Sequence, residues 1–178
     1  MMKRNILVFA GSNSSKSINK QLAAYASTLV DNANVTILDL NDFELPIFGV
    51  DLEAKIGHPE NAHRFLNYIK ETNGIIVSLA EHNGAYTAVF KNLLDWMSRI
   101  EGKTFYGKPM LLMATSNGKR GGLSVLEIAK SRFPRHDANI IADFSLPEFR
   151  INFSDGKIIN PELDEELRTK VKQFSDTL

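Results

Sequence analysis

Nine residues near the start of the chain, Gly11-Ser12-Asn13-Ser14-Ser15-Lys16-Ser17-Ile18-Asn19, hold hydroxyls and amides at close intervals directly after an apolar run. A helix that starts at the end of this stretch leaves its first backbone N–H groups without intrahelical partners, and its positive dipole end adds to their attraction for an anion. The hydroxyls of Ser12, Ser14 and Ser17 and the amide of Asn19 supply neutral donors suited to a phosphate dianion, and Lys16 can add charge. The competing reading is that Ser17 only caps the helix and the other serines are solvated loop. The stretch is not a Walker A loop, because Lys16-Ser17 arrives one residue early and the second glycine is missing. It also lacks Gly-x-Gly-x-x-Gly, which disfavours ordinary dinucleotide binding. A terminal monophosphate is the ligand it predicts.

Two further segments carry the same small or polar character. Ala80-Glu81-His82-Asn83-Gly84-Ala85-Tyr86 follows the most apolar run of the sequence and reads as a loop opening a broad helix. Its peptide groups, with His82 and Asn83, could address a planar heterocycle, although His82 alone is equally an ordinary loop histidine. Thr115-Ser116-Asn117-Gly118-Lys119-Arg120-Gly121-Gly122 places three glycines between a strand and a helix. Glycines at such a point let backbone approach a flat ligand closely.

Other chemistries are poorly served. The chain has no cysteine, so disulfides, thiolate metal sites and cysteine nucleophiles are excluded. No Gly-x-Ser-x-Gly elbow occurs, and His58, His63, His82 and His136 show no zinc-binding spacing. Asp42, Glu44, Asp51 and Glu53 read as solvated loop carboxylates. Lys91, Asp95 and Arg99 read as a solvent or subunit-contact face. Twenty-one Lys plus Arg balance 21 Asp plus Glu, which leaves no global field for nucleic acid or an anionic membrane. The apolar run after Met1 to Asn5 is too short for a signal peptide, and no run is long enough to span a membrane, so a cytoplasmic location is expected.

The elements that must position these loops alternate. Continuous apolar runs at Ile6–Phe9, Ile75–Leu79 and Met110–Ala114, with Val35–Leu38 and Asn139–Ala142, read as five strands. Helical spacing recurs at Leu22, Tyr25, Ala26 and Leu29, at Ala62, Phe65, Leu66 and Ile69 behind Pro59, and at Tyr86, Val89, Phe90, Leu93, Leu94 and Met97. It returns at Val125, Ile128, Ala129 and Phe133, and at Leu163, Leu167, Val171 and Phe174 behind Asn160-Pro161. Residues 40–58 read as irregular. Phe149, Ile151 and Phe153 alternate toward Asp155-Gly156, which predicts a terminal hairpin. At 178 residues without an evident linker, the chain predicts a single domain spanning 1–178. Strands taking turns with helices mean parallel pairing through right-handed crossovers in a three-layer α/β sandwich. Ligands then bind outside the carboxyl ends of the strands, where the strand order reverses.

Three of these segments together resemble the NAD(P)H-dependent FMN reductases. Gly11-Ser12 with Ser17 and Asn19 is similar to their Gly-Ser-x-Arg-x-x-Ser-x-Asn signature, with Ser14 where the family often has arginine. Ala80-Glu81-His82-Asn83 followed by Lys91-Asn92-Leu93-Leu94-Asp95-Trp96-Met97-Ser98-Arg99 resembles their Pro-Glu-Tyr-Asn and Leu-Lys-Asn-x-x-Asp-Trp-x-Ser-Arg run. Gly107-Lys108-Pro109 leading to Ser116-x-Gly118-x-x-Gly121-Gly122 resembles a third signature. The resemblance implies a flavodoxin-like fold with a five-stranded parallel sheet in the order 2-1-3-4-5, bound FMN, NAD(P)H as co-substrate, and a homodimer or homotetramer. It implies FMN-phosphate binding by Ser12, Ser14, Ser17 and Asn19, with Ile18 among them. Ala80, Glu81, His82 and Asn83 would run beside the ribityl chain and ring, and Ser116, Gly118, Gly121 and Gly122 would line the far edge. The implied activity passes electrons from NADH or NADPH through the flavin to a small acceptor: a quinone, azo or nitro compound, metal oxyanion or free flavin. No catalytic side chain is implied. A non-catalytic FMN-binding electron carrier and a phosphate-substrate enzyme on the same fold remain as alternatives.

Overall fold

The computed structural model describes residues 3–178. Its central sheet has five parallel strands: β1 (Arg4–Gly11), β2 (Ala33–Leu38), β3 (Gly74–Leu79), β6 (Pro109–Thr115) and β7 (Asn139–Leu146). Their spatial order is β2-β1-β3-β6-β7, which is 2-1-3-4-5 in order of appearance and gives the flavodoxin-like α/β fold. Two small antiparallel ribbons stand apart, β4 (Glu81–His82) with β5 (Ala85–Tyr86), and β8 (Phe153–Ser154) with β9 (Lys157–Ile158).

The strands are apolar throughout because helices cover both faces. Along β1, Leu7 and Phe9 enter one core while Ile6 and Val8 enter the other, and Ile75, Val77 and Leu79 alternate with Ile76 in β3 in the same way. The first core is closed by α3 (Glu60–Glu71), α4 (Ala88–Ile100) and α5 (Leu123–Arg132), through Phe65, Ile69, Phe90, Met97, Val125 and Ala129. The second is closed by α1 (Ile18–Thr28) and α7 (Pro161–Ser175), through Leu22, Ala26, Leu167, Val171 and Phe174. Asn160 caps α7 by accepting from the N–H groups of Glu162 and Leu163.

Several sequence expectations are corrected. The irregular stretch 40–58 holds a 3-10 turn, Leu40–Asp42, and a short helix, α2 (Val50–Ile56), in which no residue is fully buried, so it carries no apolar stripe to read. Pro59 stands just before α3 rather than at its first position. Strand β7 runs to Leu146 because Ala142, Phe144 and Leu146 face inward while Asp143 and Ser145 are half-exposed, the pattern of an edge strand. Ile128 lies exposed on α5. Phe149 to Asn152 forms a helical turn, α6 (Phe149–Asn152), instead of strand, and only the β8–β9 ribbon around Asp155-Gly156 matches the expected hairpin.

Candidate functional site

Register brings the three polar segments together. Gly11 at the end of β1 pairs with Leu79 of β3, and Leu79 pairs with Ala114 of β6, so all three chains leave the sheet at one level. The chain passes from β1 outward to β2 and returns across β1 to β3, which places the reversal of strand order between β1 and β3. A cavity of about 350 Å³ opens there, within the size range of small-molecule sites. Larger hollows of about 610 and 650 Å³ lie elsewhere, one beside α7 and Asn32 before β2, the other between α4 and α5. Topology, not volume, singles out the smaller one.

Ser12, Ser14, Lys16, Ser17, Ile18 and Asn19 line it from the first loop, Ala80, Glu81 and His82 from the second, and Thr115, Ser116 and Asn117 from the third. Three of the four serine hydroxyls of the first loop accept a backbone N–H two or three residues ahead. Ser12 accepts from Ser14 at 3.2 Å, Ser14 from Lys16 at 3.3 Å, and Ser17 from Lys20 at 3.1 Å. An accepting hydroxyl still has its own proton to donate, so capping by Ser17 and binding by Ser17 are compatible. Ile18 and Asn19, the first two residues of α1, have no carbonyl a turn earlier to bond, and their N–H groups add donors beside the positive helix end.

Charge is scarcer. Lys20 is spent on Asp39 at 2.6 Å, and its hydrogen bond is the largest cause holding the Asp39 carboxyl below its ordinary value. Lys16 and Arg150 line the cavity, and neither is in an ion pair among the described residues. Arg150 went unread in the sequence because it falls in the Phe149–Phe153 alternation that mimics a strand. The turn that brings it here starts at Glu148, which adopts φ +46°, a conformation no sequence signal marks for glutamate.

Some expected residues act differently from their reading. The Asn19 side chain is 2% exposed, and it donates to the Thr115 carbonyl at 3.1 Å while its oxygen accepts from the Thr115 N–H at 3.0 Å and the Ser78 hydroxyl at 2.7 Å. Its side-chain amide fastens α1 to β6, which leaves the backbone N–H as the one Asn19 donor not spent on the fold. Glu81 accepts the Val125 N–H at 3.0 Å and so caps α5, whose own N-cap, Gly122, has no side chain to offer. Asn83 and Gly84, at φ +52° and +75°, form the two-residue turn of the β4–β5 ribbon, so the expected loop is a hairpin with the favoured Asn-Gly signal. Asn83, Gly118, Gly121 and Gly122 do not line the cavity. A Cβ on Gly121 would lie 2.5 Å from Ser145 Oγ and 2.8 Å from the Pro147 nitrogen, so the protein itself, rather than a flat ligand, requires that glycine. Gly122 likewise sits against Ala114.

The Lys91 to Arg99 run is structural. Asn92 Oδ1 accepts the Phe48 N–H at 2.8 Å, and its Nδ2 donates to the Pro46 carbonyl at 3.0 Å, where Trp96 Nε1 also donates at 2.7 Å. One face of α4 thereby pins the segment before α2. Glu53 pairs with Arg99 at 2.9 Å and His58 at 3.1 Å, so it is not the freely solvated carboxylate expected. The Arg99 hydrogen bond is the first cause lowering its pKa.

The family model for NADPH-dependent FMN reductase matches residues 4–149, which include the whole cavity except Arg150. The chain belongs to that family. It is 34% identical over 122 residues to a 2-hydroxy-1,4-benzoquinone reductase of Burkholderia sp., covering 67% of this chain and 64% of that protein. It is 29% identical over 117 residues to an NAD(P)H-dependent FMN reductase of Pseudomonas aeruginosa, covering 65% and 62%. The alignments thus span a little under two thirds of those relatives. In fold it is similar to the flavoenzyme NAD(P)H:(acceptor) oxidoreductase FerB from Paracoccus denitrificans, with TM-score 0.76 and 24% identity over 97% of this chain and 96% of that one. A second similar structure is the apo form of an NADH:FMN oxidoreductase, with TM-score 0.74 and 18% identity over 99% and 90%.

The donor set fits a flavin mononucleotide phosphate. Three serine hydroxyls, two helix-terminal N–H groups and two cations belong to residues that line the one cavity. Of its acidic side chains, Glu81 is turned to the α5 terminus. No helix among the described residues is long and apolar enough to cross a membrane.

Proposed function

We propose that the chain is an FMN-dependent oxidoreductase that transfers electrons from NAD(P)H to a small quinone. The observation that carries the reading is the convergence of hydroxyl, N–H and cationic donors at the reversal of strand order. When bound, FMN supplies the redox chemistry, by accepting hydride and passing electrons on. The residues of the chain bind and orient. Ser12, Ser14 and Ser17 donate hydroxyl protons to the phosphate, and the Ile18 and Asn19 N–H groups complete the cradle. Ala80, His82 and Ser116 would flank the ribityl chain and ring, with Asn83 and Gly118 behind them in the turns that carry those residues. Glu81, Gly121 and Gly122 fix the two loops that do so. A quinone is favoured among acceptors because two groups of relatives carry that substrate in their names, the Burkholderia protein and the quinone reductase of Escherichia coli.

The same reading takes residues 1–178 as one FMN-binding domain, cytoplasmic, that assembles as a homodimer or homotetramer. Ile47, Val50 and Ile56, exposed around α2, offer apolar surface for a second copy.

The test is titration of ligand-stripped protein with FMN, followed by flavin absorbance and fluorescence, and then turnover of a benzoquinone with NADH and with NADPH. Saturable binding of one flavin per chain and quinone-dependent nicotinamide oxidation are expected. Absence of saturable binding would overturn the proposal. Binding without nicotinamide oxidation would make the protein a carrier.

A further inference from the structure

We propose that Arg150 is the principal charged contact of the bound phosphate, reaching the cavity from the segment after β7; this rests on the flavin reading above. A phosphate monoester carries close to two negative charges, while every donor of the first loop except Lys16 is neutral. Lys16 and Arg150 are both exposed, but Lys16 lies on a loop braced by single hydroxyl contacts. Arg150 is held more firmly at its backbone. The N–H of Phe149 donates to the Ser116 carbonyl at 3.0 Å, and that of Glu148 donates to the Gly118 carbonyl at 3.0 Å. Both acceptors belong to the loop that bounds the cavity. On the other side Asn152 Nδ2 donates to the Pro147 carbonyl at 2.9 Å, and the buried Phe149 ring stacks on Phe153 with centroids 4.6 Å apart. Arg150 therefore stands on a turn tied to the third loop at two points and anchored in the core at a third. Its side chain has no hydrogen-bond or ion-pair partner among the described residues, so its planar fork is free for two phosphate oxygens. Glu148 holds the turn at φ +46°, a strained conformation of the kind that persists at ligand clamps.

The experiment compares FMN with riboflavin, which lacks only the phosphate. Wild-type protein, Arg150→Gln and Arg150→Lys are titrated with each by flavin fluorescence at low and high salt, with circular dichroism to check the fold. Arg150→Gln should raise the FMN dissociation constant roughly tenfold or more, leave that of riboflavin unchanged, and flatten the salt dependence of FMN binding. Arg150→Lys should fall between, because it keeps the charge and loses the fork. An unchanged FMN constant in Arg150→Gln, or equal weakening for both flavins, would overturn the proposal while leaving the flavin reading intact. Wild-type protein that binds neither flavin would overturn both.

Discussion

Asn19 and Thr115, 96 positions apart, form a reciprocal amide-to-peptide pair, with Nδ2 donating to the Thr115 carbonyl at 3.1 Å and the Thr115 N–H donating to Oδ1 at 3.0 Å. The Ser78 hydroxyl joins at 2.7 Å, so three elements of the site, the α1 terminus, β3 and β6, share one buried side chain. The distance between the first and third loops is thereby fixed before any ligand arrives.

Asn19→Ala leaves the Ser78 hydroxyl and both Thr115 backbone groups buried without that partner. Unsatisfied buried groups cost about 1–3 kcal/mol each, so a loss of about 3 kcal/mol or more is expected in urea denaturation. A loss below about 1 kcal/mol would show that the pair is dispensable.

On the proposed reading Ser17 caps the helix as an acceptor and binds the ligand as a donor, and two substitutions separate the roles. Ser17→Ala should cost about 0.5–2 kcal/mol of stability through the lost cap and about 0.5–1.5 kcal/mol of FMN affinity through the lost donor. Ser17→Asp keeps a strong N-cap but sets a carboxylate in the phosphate cradle, so thermal stability should hold while FMN binding falls more steeply than in the alanine variant. Equal FMN affinity in wild type and Ser17→Asp would remove Ser17 from the phosphate site.

Two glycines of the third loop should respond in opposite ways. Gly121 combines φ +57° with a Cβ position 2.8 Å from the Pro147 backbone nitrogen, so Gly121→Ala should destabilise by about 1–3 kcal/mol. Around Gly118 the nearest atom to an added Cβ is Ser116 Oγ at 3.7 Å, ordinary contact, so Gly118→Ala should leave the melting temperature almost unchanged. Similar melting temperatures for the two variants would contradict this assignment.

Tyr86 packs between Phe90 and Phe133, and its hydroxyl oxygen is buried without a hydrogen-bond partner among the described residues. Burial is the first cause that pushes its pKa up to about 12 from 10.0, against a smaller opposing effect of Arg132. The raised value means that the folded state keeps the proton longer than the unfolded chain does. Its contribution is therefore fully present below pH 10 and lost as the pH rises toward and through 12. Tyr86→Phe keeps the ring contacts, removes the orphan oxygen, and should stabilise by up to about 1 kcal/mol at neutral pH. The variant should also flatten the alkaline loss of stability measured by denaturant midpoints between pH 9 and pH 11. An alkaline limb as steep as that of the wild type would assign the loss to other groups.

How much of this was legible depends on the range of the physics involved. Continuous apolar runs at Ile6–Phe9, Ile75–Leu79 and Met110–Ala114 can only be strands covered on both faces, and with helices between them the parallel sheet and its ligand edge follow. Helix α2 and the extension of β7 were obscure because the first buries no stripe and the second alternates like an exposed ribbon. The Asn83-Gly84 hairpin did carry a signal, but its strands are two residues each, too short for periodicity to register.

The sequence by itself determined the layered α/β architecture, the grouping of polar loops at one edge, and Ser12, Ser14 and Ser17 as residues of the cavity there, because burial period and helix-start chemistry are local. Only the tertiary structure decided what the remaining residues do. Asn19 became a staple, Glu81 a cap for α5, Gly121 a close-packing point, and Arg150 a cation of the cavity, because each is brought against residues at least 24 positions away. Residue type states what a side chain can offer. Which buried donor or acceptor claims it is settled only when the strands are in register and every unpaired polar group must find a partner.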